Sequence, residues 1–507
     1  MRRSHAWQEY LFSDVGVLIL MALCLVIVHT LTNGQYGFHR DELATLDDAR
    51  YLAWGYPAYP PVTPLIARLA LELFGPTTAG VRFFSALAQG VVLVLTGLMT
   101  RELGGRRWAQ IVAAVSVAIA PVALGSGALL QYVTFDYLWW VMVAYLMIRL
   151  LKSGNPRWWL AVGVVAGLGL MTRYTMAFLL AALVGGMLFT PARRHLRSPW
   201  LWGGAGLALL IFLPNLIWQF QHDFISLELL RSNHARDIRI GRTDSYLPGQ
   251  LMTAANLFTV PLWLAGLWYY FRRKEGEPYK LIGWLYVLTF LLYLFTHGRD
   301  YYEAPAYPML LAAGAVVTEL WITKMSTVWA RVTKGVVWTA CAVGGLLIAA
   351  VALPVAPVNS RWWDFASGIN GDLREEIGWP ELVQTVAGIR DSLPAADRAQ
   401  LGILAGNYGE AGALNLYGPA YGLPRAMSGI DSYWLRGYTN PPPQTVIVVG
   451  ISREFLEKNF ETYELAGHIT NRFNVKNEET TRHQQIYLCR RLKRPWAEFW
   501  KHFRYFG

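Results

Sequence analysis

The sequence predicts an α-helical polytopic membrane protein with about eleven transmembrane helices and a C-terminal extracytoplasmic α/β domain. Hydrophobic residues make up 54% of the 507 residues and charged residues only 16%, whereas soluble domains carry about 25% charged residues. Eleven runs of the sequence are apolar over most of the roughly 20 residues that a helix needs to cross a bilayer. Basic residues are concentrated in alternate short loops between these runs, as expected for membrane proteins.

The apolar runs begin close to the N-terminus and end near residue 354. They cover residues 14–32, 80–100, 107–125, 129–150, 158–172, 175–190, 200–219, 253–271, 280–296, 303–322 and 335–354. The first run follows Met1-Arg2-Arg3 and has no small-residue cleavage site behind it, which predicts a retained helix rather than a signal peptide. The fifth and sixth runs are short and share the junction Met171-Thr172-Arg173-Tyr174.

Arginine and lysine determine the predicted orientation. With a cytoplasmic N-terminus every short cytoplasmic loop is basic, which is the positive-inside pattern. These loops contain Arg101, Arg106 and Arg107, then Arg149, Lys152 and Arg157, then Arg193, Arg194 and Arg197, then Arg272, Arg273, Lys274 and Lys280, and finally Lys324, Arg331 and Lys334. The net charge of +11 therefore indicates orientation in the cytoplasmic (inner) membrane and not a nucleic-acid partner.

The chain is predicted to divide near residue 356. Residues 1–356 form the membrane domain, and residues 357–507 are long enough for one small domain on the outer side. Leu401–Leu404 and Val446–Val449 are candidate strands, and Glu381–Arg390 is a candidate helix. Because strand and helix signals alternate, we expect an α/β domain.

The first outer loop, residues 33–79, holds an acidic pair at the start of a predicted helix. Leu43, Leu46, Ala49 (or Arg50) and Ala53 recur at helical spacing between residues 41 and 54, which predicts an amphipathic helix along the membrane surface. Two interpretations of the pair stay open. Asp41 and Glu42 could be a helix cap and a first-turn charge, or they could be functional carboxylates. The following pair, Asp47 and Asp48, is expected on the solvated face.

Charged residues in or beside other runs point to a polar cavity at the outer leaflet. Asp136 lies about two turns into the fourth run, and a carboxylate at that depth costs roughly 2–3 kcal/mol unless it faces a polar space. For any single arginine, snorkelling or structural pairing is an equal alternative. The predicted topology brings these residues to one side: Asp41, Glu42, Arg82, Asp136, Arg173 and Arg299.

A second outer loop, residues 220–252, is rich in basic residues. It contains Arg231, Arg236, Arg239 and Arg242 with His222 and His234. This composition fits a basic surface for an anionic partner such as a lipid phosphate or a charged glycan, and equally a solvated, mobile loop.

An ordered set of motifs resembles a known family. It begins with the Asp-Glu pair after the first helix, the amphipathic outer helix and Pro60-Pro61 before the second membrane helix. It continues through residues 81–86, 135–138, 167–174, 213–219 and 298–308. Together these segments resemble the bacterial protein-mannosyltransferase-like glycosyltransferases, that is, glycosyltransferase family 39 and its relatives of the GT-C fold, including the aminoarabinose transferases of lipid A. The resemblance extends to about residue 322.

The resemblance implies transfer of a sugar from a polyprenyl-phosphate-linked donor to an extracytoplasmic acceptor, which could be a glycolipid, a glycan or a protein. The transfer would invert the configuration at the anomeric carbon, and the protein would contact membrane lipids. In such enzymes the acidic residue of the first outer loop is the catalytic base. On this chain that residue is Asp41, with Glu42 as helper or alternative. A positioned carboxylate that removes the proton of a hydroxyl contributes roughly 10²–10⁴-fold to the rate.

The resemblance also implies which residues bind the substrate. Arg299 matches the family's basic position in the last outer turn, so it is expected at the lipid phosphate, with Arg82 and Arg173 as further candidates. Asp136 would line the cavity and orient the sugar or the arginines. Three tyrosines complete the candidate set: Tyr59, Tyr301 and Tyr302.

One position departs from the aminoarabinose transferases. They carry a lysine before the two prolines, where this chain has Tyr59, and this weakens an assignment to that particular sugar. A divalent cation could bind through the hard oxygen ligands of Asp41, Glu42 and Asp136, although nothing in the spacing requires one.

Two other classes of protein compete with a transferase. A transporter or flippase for a lipid or glycan would also explain charges in the spans, but such proteins place them near the bilayer midplane in paired repeats. A non-catalytic scaffold with a glycan-binding outer domain would leave Asp136 unexplained.

Overall fold

The computed structural model describes residues 13–506, and all of its strands follow residue 400. Met1-Arg2-Arg3, which precede the first apolar run, lie outside the described range. In chain order the helices are α1 (Asp14–Thr32), α2 (Arg40–Asp48), α3 (Val62–Phe74), α4 (Thr78–Glu102), α5 (Arg107–Ala118), α6 (Pro121–Ala128), α7 (Tyr132–Ser153), α8 (Trp158–Leu170), α9 (Met176–Leu188), α10 (Pro199–Gln221), α11 (Ile225–Arg239), α12 (Tyr246–Gly249), α13 (Val260–Arg272), α14 (Lys280–Phe295), α15 (Tyr307–Ile322), α16 (Thr327–Ala352), α17 (Arg361–Ile369), α18 (Trp379–Ser392), α19 (Ala395–Ala399), α20 (Tyr408–Tyr417), α21 (Asp431–Leu435), α22 (Arg453–Asn459), α23 (Glu478–Thr481) and α24 (Trp496–His502). Short 3₁₀ segments occupy Pro191–Arg197, Leu257–Thr259, Glu277–Tyr279, Asp300–Ala306, Gly371–Leu373 and Gly418–Tyr421, and a π-helical turn occupies Gln250–Ala254.

The chain is a multi-pass membrane protein. Within residues 13–506, seven helices are long and apolar enough to cross a membrane, and three bent helix pairs raise the number to ten. Helix α8 is apolar but shorter. Each of the eleven predicted runs overlaps one of these elements, which confirms the helical membrane fold that the sequence predicts.

Breaks inside one predicted run and at the end of another were not visible from hydropathy. The run 107–125 bends by 64° between α5 and α6, and the run 175–190 bends by 111° after α9. In both cases the residue before a proline, Ala120 or Thr190, has an extended backbone, because the proline ring disfavours the helical conformation of its predecessor. Both bends therefore have a local steric cause.

The bundle has a buried centre and lipid-facing edges. Helix α15 is largely buried inside the protein, whereas α1 and α16 expose most of their apolar side chains at the periphery. Glycine allows the closest helix contact: a Cβ atom on Gly163 of α8 would lie 2.1 Å from the carbonyl oxygen of Gly204 on α10. Small residues at such crossings are typical of membrane helix packing.

A five-stranded mixed sheet forms the core of the C-terminal region, here residues 357–506. The strands are β1 (Leu401–Ala405), β2 (Ala426–Met427), β3 (Thr445–Val449), β4 (Phe460–His468) and β5 (Gln485–Leu492), in the order β2-β1-β3-β5-β4. Strand β1 is parallel to β2 and β3, and β5 is antiparallel to β3 and β4. Every residue of β3 is buried, as expected for an apolar central strand covered on both faces. The two predicted strands and the predicted helix are confirmed.

The acidic helix of the first outer loop packs against the C-terminal region. Helix α2 ends at Asp48, earlier than predicted, and both of its faces are buried. Helix α20 crosses it so closely that a Cβ atom on Gly412 would lie 2.7 Å from the carbonyl oxygen of Leu43. A helix is present where the sequence predicts one, but its predicted extent to residue 54 is wrong, and a second layer of protein covers the face that the sequence assigned to water.

Asp47 and Asp48 form a buried seam with Arg436. Both aspartates are 3% exposed, so the expectation of a solvated face is also wrong. Arg436 donates from Nη1 to Asp47 Oδ2 at 2.6 Å and from Nη2 to Asp48 Oδ1, and its guanidinium lies over the rings of Tyr51 and Tyr433. Asn415 Nδ2 adds a hydrogen bond of 3.0 Å to Asp47 Oδ2. One cation from the C-terminal region thus compensates two buried carboxylates of the first outer loop.

Replacing Arg436 with Met should loosen this seam. Removing one partner of a buried ion pair costs roughly 3–5 kcal/mol because the remaining charge stays buried without compensation. We expect a clear drop in the thermal unfolding midpoint of the purified protein in detergent, and faster proteolysis of the C-terminal region. Arg453→Met is the matched control, because Arg453 forms an exposed pair with Glu457, and such pairs contribute about 0–1 kcal/mol. Equal effects of the two substitutions would contradict the seam.

Candidate functional site

A cavity of about 450 Å³ lies where the first outer loop, the α7 start, α11 and the C-terminal region meet. The first outer loop contributes His39, Arg40, Asp41, Ala44, Thr45, Asp48, Ala58 and Tyr59 to its wall. The membrane part further contributes Gln131, Tyr132, Leu229, Asn233, Arg236, Arg242 and Arg299. The C-terminal region contributes Gly371, Asp372, Glu375, Tyr408, Asp431, Ser432, Tyr433 and Glu478.

Asp41 presents a partly exposed carboxylate to this cavity. Its side chain is 42% exposed. Its Oδ1 accepts a hydrogen bond of 2.9 Å from the hydroxyl of Tyr408, and its Oδ2 accepts one of 3.1 Å from Gln131 Nε2. The N-cap of α2 is His39, whose Nδ1 accepts from the backbone N–H of Asp41. The carboxylate of Asp41 is therefore not needed to cap the helix.

Arg40 places positive charge near Asp41, and His39 Nδ1 lies 3.9 Å from the same carboxylate. Burial lowers the pKa of His39, but the carboxylates of Asp41 and Asp372 outweigh it and raise that pKa above its ordinary value. Arg40 pairs with Glu478, and its guanidinium lies 4.9 Å from the centre of the Tyr408 ring.

Glu42 has a structural environment instead. It is fully buried, and its Oε2 accepts from the backbone N–H of His39 at 2.8 Å, which completes a capping box. Arg82 donates to both of its oxygens, at 2.9 and 2.6 Å, and also to Glu376 Oε2 at 3.2 Å. Neither Glu42 nor Arg82 lines the cavity. Together they fix the start of α2, and so the direction in which Asp41 points.

Arg299 reaches the cavity from the last outer turn. Asp237 of α11 holds it, with both Nε and Nη2 2.6 Å from Asp237 Oδ2. Arg236 and Arg242 line the same cavity, and Arg242 is exposed. Part of the basic loop 220–252 is thus a helix, α11, which carries one of these arginines towards Arg299.

Asp136 and Arg173 form a pair that does not line the cavity. Arg173 Nη1 lies 3.4 Å from Asp136 Oδ2, which also accepts a hydrogen bond of 2.7 Å from Thr175. The guanidinium of Arg173 lies 5.0 Å from the ring centre of Tyr132, which does line the cavity, and 4.6 Å from that of Tyr302. Tyr301 accepts a hydrogen bond of 3.3 Å from Arg299 Nη1. These residues form a supporting layer for the wall.

Tyr59 lies in the wall, and its hydroxyl bonds within the protein. It donates to Asp48 Oδ2 at 2.7 Å. Burial raises the pKa of Asp48 to about 6, although the guanidinium of Arg436 opposes that rise. The residue at the position of the family's lysine is therefore tied to the seam between α2 and the C-terminal region.

The three carboxylates considered as ligands of a divalent cation do not form a shared site. Asp41, Glu42 and Asp136 each have separate partners, and within residues 13–506 no group of three or more His, Cys, Asp or Glu side chains has the arrangement of a metal site.

The contribution of the C-terminal region was missed from the sequence. Asn407 and Glu410 form a capping box at the start of α20, and the pattern Asn407-Tyr408-Gly409-Glu410 is a recognisable helix start. That pattern could have predicted where α20 begins. It could not have predicted that Tyr408, which lies 367 positions beyond Asp41, donates a hydrogen bond to it.

Comparisons with known proteins agree with this fold. Residues 58–218 match the family model of dolichyl-phosphate-mannose-protein mannosyltransferases. The chain is 32% identical to the undecaprenyl phosphate-alpha-4-amino-4-deoxy-L-arabinose arabinosyl transferase 1 of Pseudomonas fluorescens over 152 residues. The aligned segment covers 28% of this chain and 27% of that protein. The chain is 24% identical to the lipid A galacturonosyltransferase RgtD of Rhizobium johnstonii over 293 residues. This aligned segment covers 55% of this chain and 59% of that protein. The chain thus matches less than two thirds of either relative's length.

Two solved structures have a similar architecture. The crystal structure of ArnT from Cupriavidus metallidurans bound to undecaprenyl phosphate matches with a TM-score of 0.57 at 14% identity, over 94% of this chain and 97% of that chain. Its apo state matches with a TM-score of 0.56 at 14% identity and the same coverage. The predicted resemblance to mannosyltransferase-like glycosyltransferases, and the GT-C type of fold, are confirmed.

Helix α20 contains a titratable group whose effect on stability can be tested. Burial raises the pKa of Glu410 to about 8, the carboxylate of Glu479 adds to the rise, and the backbone N–H groups of Gly406 and Asn407 oppose it. The pKa of unfolded glutamate is about 4.3, so the folded state binds this proton more tightly. The contribution of Glu410 to the free energy of unfolding is therefore present at low pH and is lost as the pH rises from about 5 to 8.

Glu410→Gln should remove this dependence. We expect its thermal unfolding midpoint in detergent to fall less steeply than that of the wild type between about pH 6 and 8. Glu464→Gln, on an exposed side chain, is the control for a general charge effect. Identical pH slopes in wild type and Glu410→Gln would contradict the raised pKa.

Proposed function

We propose that this chain, a membrane protein with the GT-C type of fold, transfers a sugar from a polyprenyl-phosphate-linked donor to an extracytoplasmic acceptor, with inversion at the anomeric carbon. The single observation that carries the proposal is the partly exposed Asp41 carboxylate, held on the wall of a cavity that arginine side chains also line. A base and cationic groups in one pocket are what displacement of a lipid phosphate by a hydroxyl requires.

Asp41 is the proposed general base. It takes the proton of the acceptor hydroxyl while that oxygen attacks the anomeric carbon, and the bond from this carbon to the phosphate oxygen breaks on the opposite side. The lipid phosphate leaves with the electron pair. Tyr408 and Gln131 donate one hydrogen bond to each carboxylate oxygen, which positions the base.

Arg299, Arg236 and Arg242 are the proposed phosphate site. They come from two stretches of the membrane part and line the same cavity as Asp41. Guanidinium groups suit phosphate oxygens because they donate two parallel hydrogen bonds and stay charged. Asp237 orients Arg299, and Asp136 orients Arg173, which packs against the wall residue Tyr132 and against Tyr302 behind the wall.

We further propose that the chain divides near residue 356, with the α/β domain on the outer side of the cytoplasmic membrane. The basic loops of the sequence support that orientation. The relatives named as transferases support an enzyme over a transporter or flippase. Their names mention undecaprenyl phosphate and lipid A, which supports a polyprenyl-phosphate donor and a lipid among the candidate acceptors.

Asp41→Asn should abolish transfer while leaving the fold intact. The amide keeps the volume and can still meet Tyr408, but it cannot take a proton, so we expect a fall in kcat of roughly 10²–10⁴-fold. The assay uses the reconstituted protein with undecaprenyl-phosphate sugars and membrane glycolipid extracts. Asp391→Asn, an exposed side chain outside the cavity wall, is the control. Full activity in Asp41→Asn would refute the base, and movement of lipid across the vesicle without transfer would favour the transporter.

Arg242→Ala should weaken binding of undecaprenyl phosphate about tenfold, since one charge-assisted hydrogen bond to the phosphate is lost. Arg239→Ala is the matched control, because Arg239 is an exposed arginine of α11 that does not line the cavity. Binding can be measured from ligand-dependent thermal stabilisation at several salt concentrations, since salt screens the contact. An equal loss in both variants would point to a general charge effect instead.

A further inference from the structure

Asp431 lines the cavity, and one of its carboxylate oxygens is unsatisfied by the described residues. Its Oδ1 is buried and has no hydrogen-bond partner in the part of the chain that the structure describes. The two residues that follow it in the wall are both engaged: Ser432 donates to Asp48 Oδ2 at 3.3 Å, and the hydroxyl of Tyr433 lies 3.4 Å from the carbonyl oxygen of Tyr408. A buried acceptor with no donor is unfavourable, and the residue that carries it lies in the cavity wall.

The backbone at Asp431 is also in an unfavourable conformation. Its φ is +44°, in the left-handed region that glycine adopts without cost and that most residues avoid, with aspartate an occasional exception. The surroundings hold it there, because the preceding residue, Ile430, pairs with Tyr505 in an isolated bridge. Strained residues of this kind cluster at ligand sites, where the surrounding structure enforces them. A glycine at this position would be easier to accommodate, yet the chain has a carboxylate.

The charges around Asp431 leave its carboxylate available to a ligand. Burial raises its pKa to about 7, the carboxylate of Asp48 adds to the rise, and Arg236 opposes it. Arg236 instead lies 3.9 Å from Asp237 Oδ1. A ligand that brings a hydrogen-bond donor would satisfy an acceptor that the protein leaves unsatisfied.

We infer that Asp431 accepts a hydrogen bond from a sugar hydroxyl or ammonium group bound in the cavity. The inference rests on the proposed function and adds a contact from the C-terminal region that selects the sugar. Sugars suit this site because they carry several donors on a compact ring. The group could belong to the sugar of the donor lipid or to that of the acceptor, and the chemistry of the contact is the same in both cases.

Two substitutions separate this role from a structural one. Asp431→Gly removes the carboxylate and relieves the backbone, so it should leave the unfolding temperature unchanged or raise it while it weakens sugar binding. Asp431→Asn keeps an acceptor oxygen and loses the charge. If the ligand group is a hydroxyl, Asn should retain part of the affinity. If the ligand group is an ammonium group, the Asp431→Asn and Asp431→Gly variants should lose about the same affinity for the sugar.

Binding is measured in the Asp41→Asn background, so that no turnover consumes the ligand. The probes are undecaprenyl phosphate, its glucose, galacturonic acid and 4-amino-4-deoxyarabinose derivatives, and lipid A as the acceptor probe. If the donor sugar contacts Asp431, Asp431→Gly should weaken the best sugar-linked lipid roughly tenfold and leave undecaprenyl phosphate unchanged. If the acceptor sugar contacts it, only lipid A should bind more weakly.

Three outcomes would overturn the inference. Unchanged affinity for every probe in both Asp431 variants would reject it while leaving the proposed function standing. A lower unfolding temperature of Asp431→Gly, together with equal loss for all probes, would assign the residue a structural role. No binding of any probe to the Asp41→Asn protein would reject the proposed function and with it this inference.

Discussion

The ion-paired seam between Arg436 and the Asp47–Asp48 pair is the interaction on which the cavity depends. Carboxylates 3% exposed to solvent are tolerated only with charge compensation and hydrogen bonds, and that compensation comes from a residue 388 positions later in the chain. When this contact forms, α20 is brought against α2, and its first residue, Tyr408, reaches the Asp41 carboxylate. Without the C-terminal region, one wall of the cavity would be missing.

The neighbouring carboxylates Asp41 and Glu42 in α2 have opposite environments. Glu42 is buried and stabilises the fold, whereas Asp41 is accessible from the cavity and is the proposed base. Glu42 is enclosed by Arg82 and backbone N–H groups, so its charge stabilises the start of the helix. Asp41 points to the cavity and keeps a substantial exposed fraction. The same division recurs among the arginines: Arg82 is fully buried, whereas Arg236, Arg242 and Arg299 line the cavity. The proposed chemistry uses the groups that keep access to the open space.

Hydropathy predicted the membrane helices because each span must be apolar over a fixed length, and alternating signals predicted the strands of the C-terminal sheet. The roles of charged residues were less accessible. The pattern around Asp47 and Asp48 is that of a solvated helix face until a second layer covers it. The contacts of Arg82 with Glu376 and of Tyr408 with Asp41 join positions that are hundreds of residues apart, and no local periodicity records such pairs. Depth alone left open whether Asp136 orients the sugar or an arginine, and the structure pairs it with Arg173.

A disulfide bond between α2 and α20 tests most directly whether these two helices stay in contact while the protein transfers sugar. A Cβ atom on residue 412 would lie 2.9 Å from the Cβ of Leu43, and disulfides join Cβ atoms about 3.5–4.5 Å apart, so a small shift brings a Leu43→Cys, Gly412→Cys pair into bonding range. We predict that oxidation links the two cysteines and that the oxidised protein transfers sugar as fast as its reduced form. Loss of transfer on oxidation that reduction restores would contradict the account.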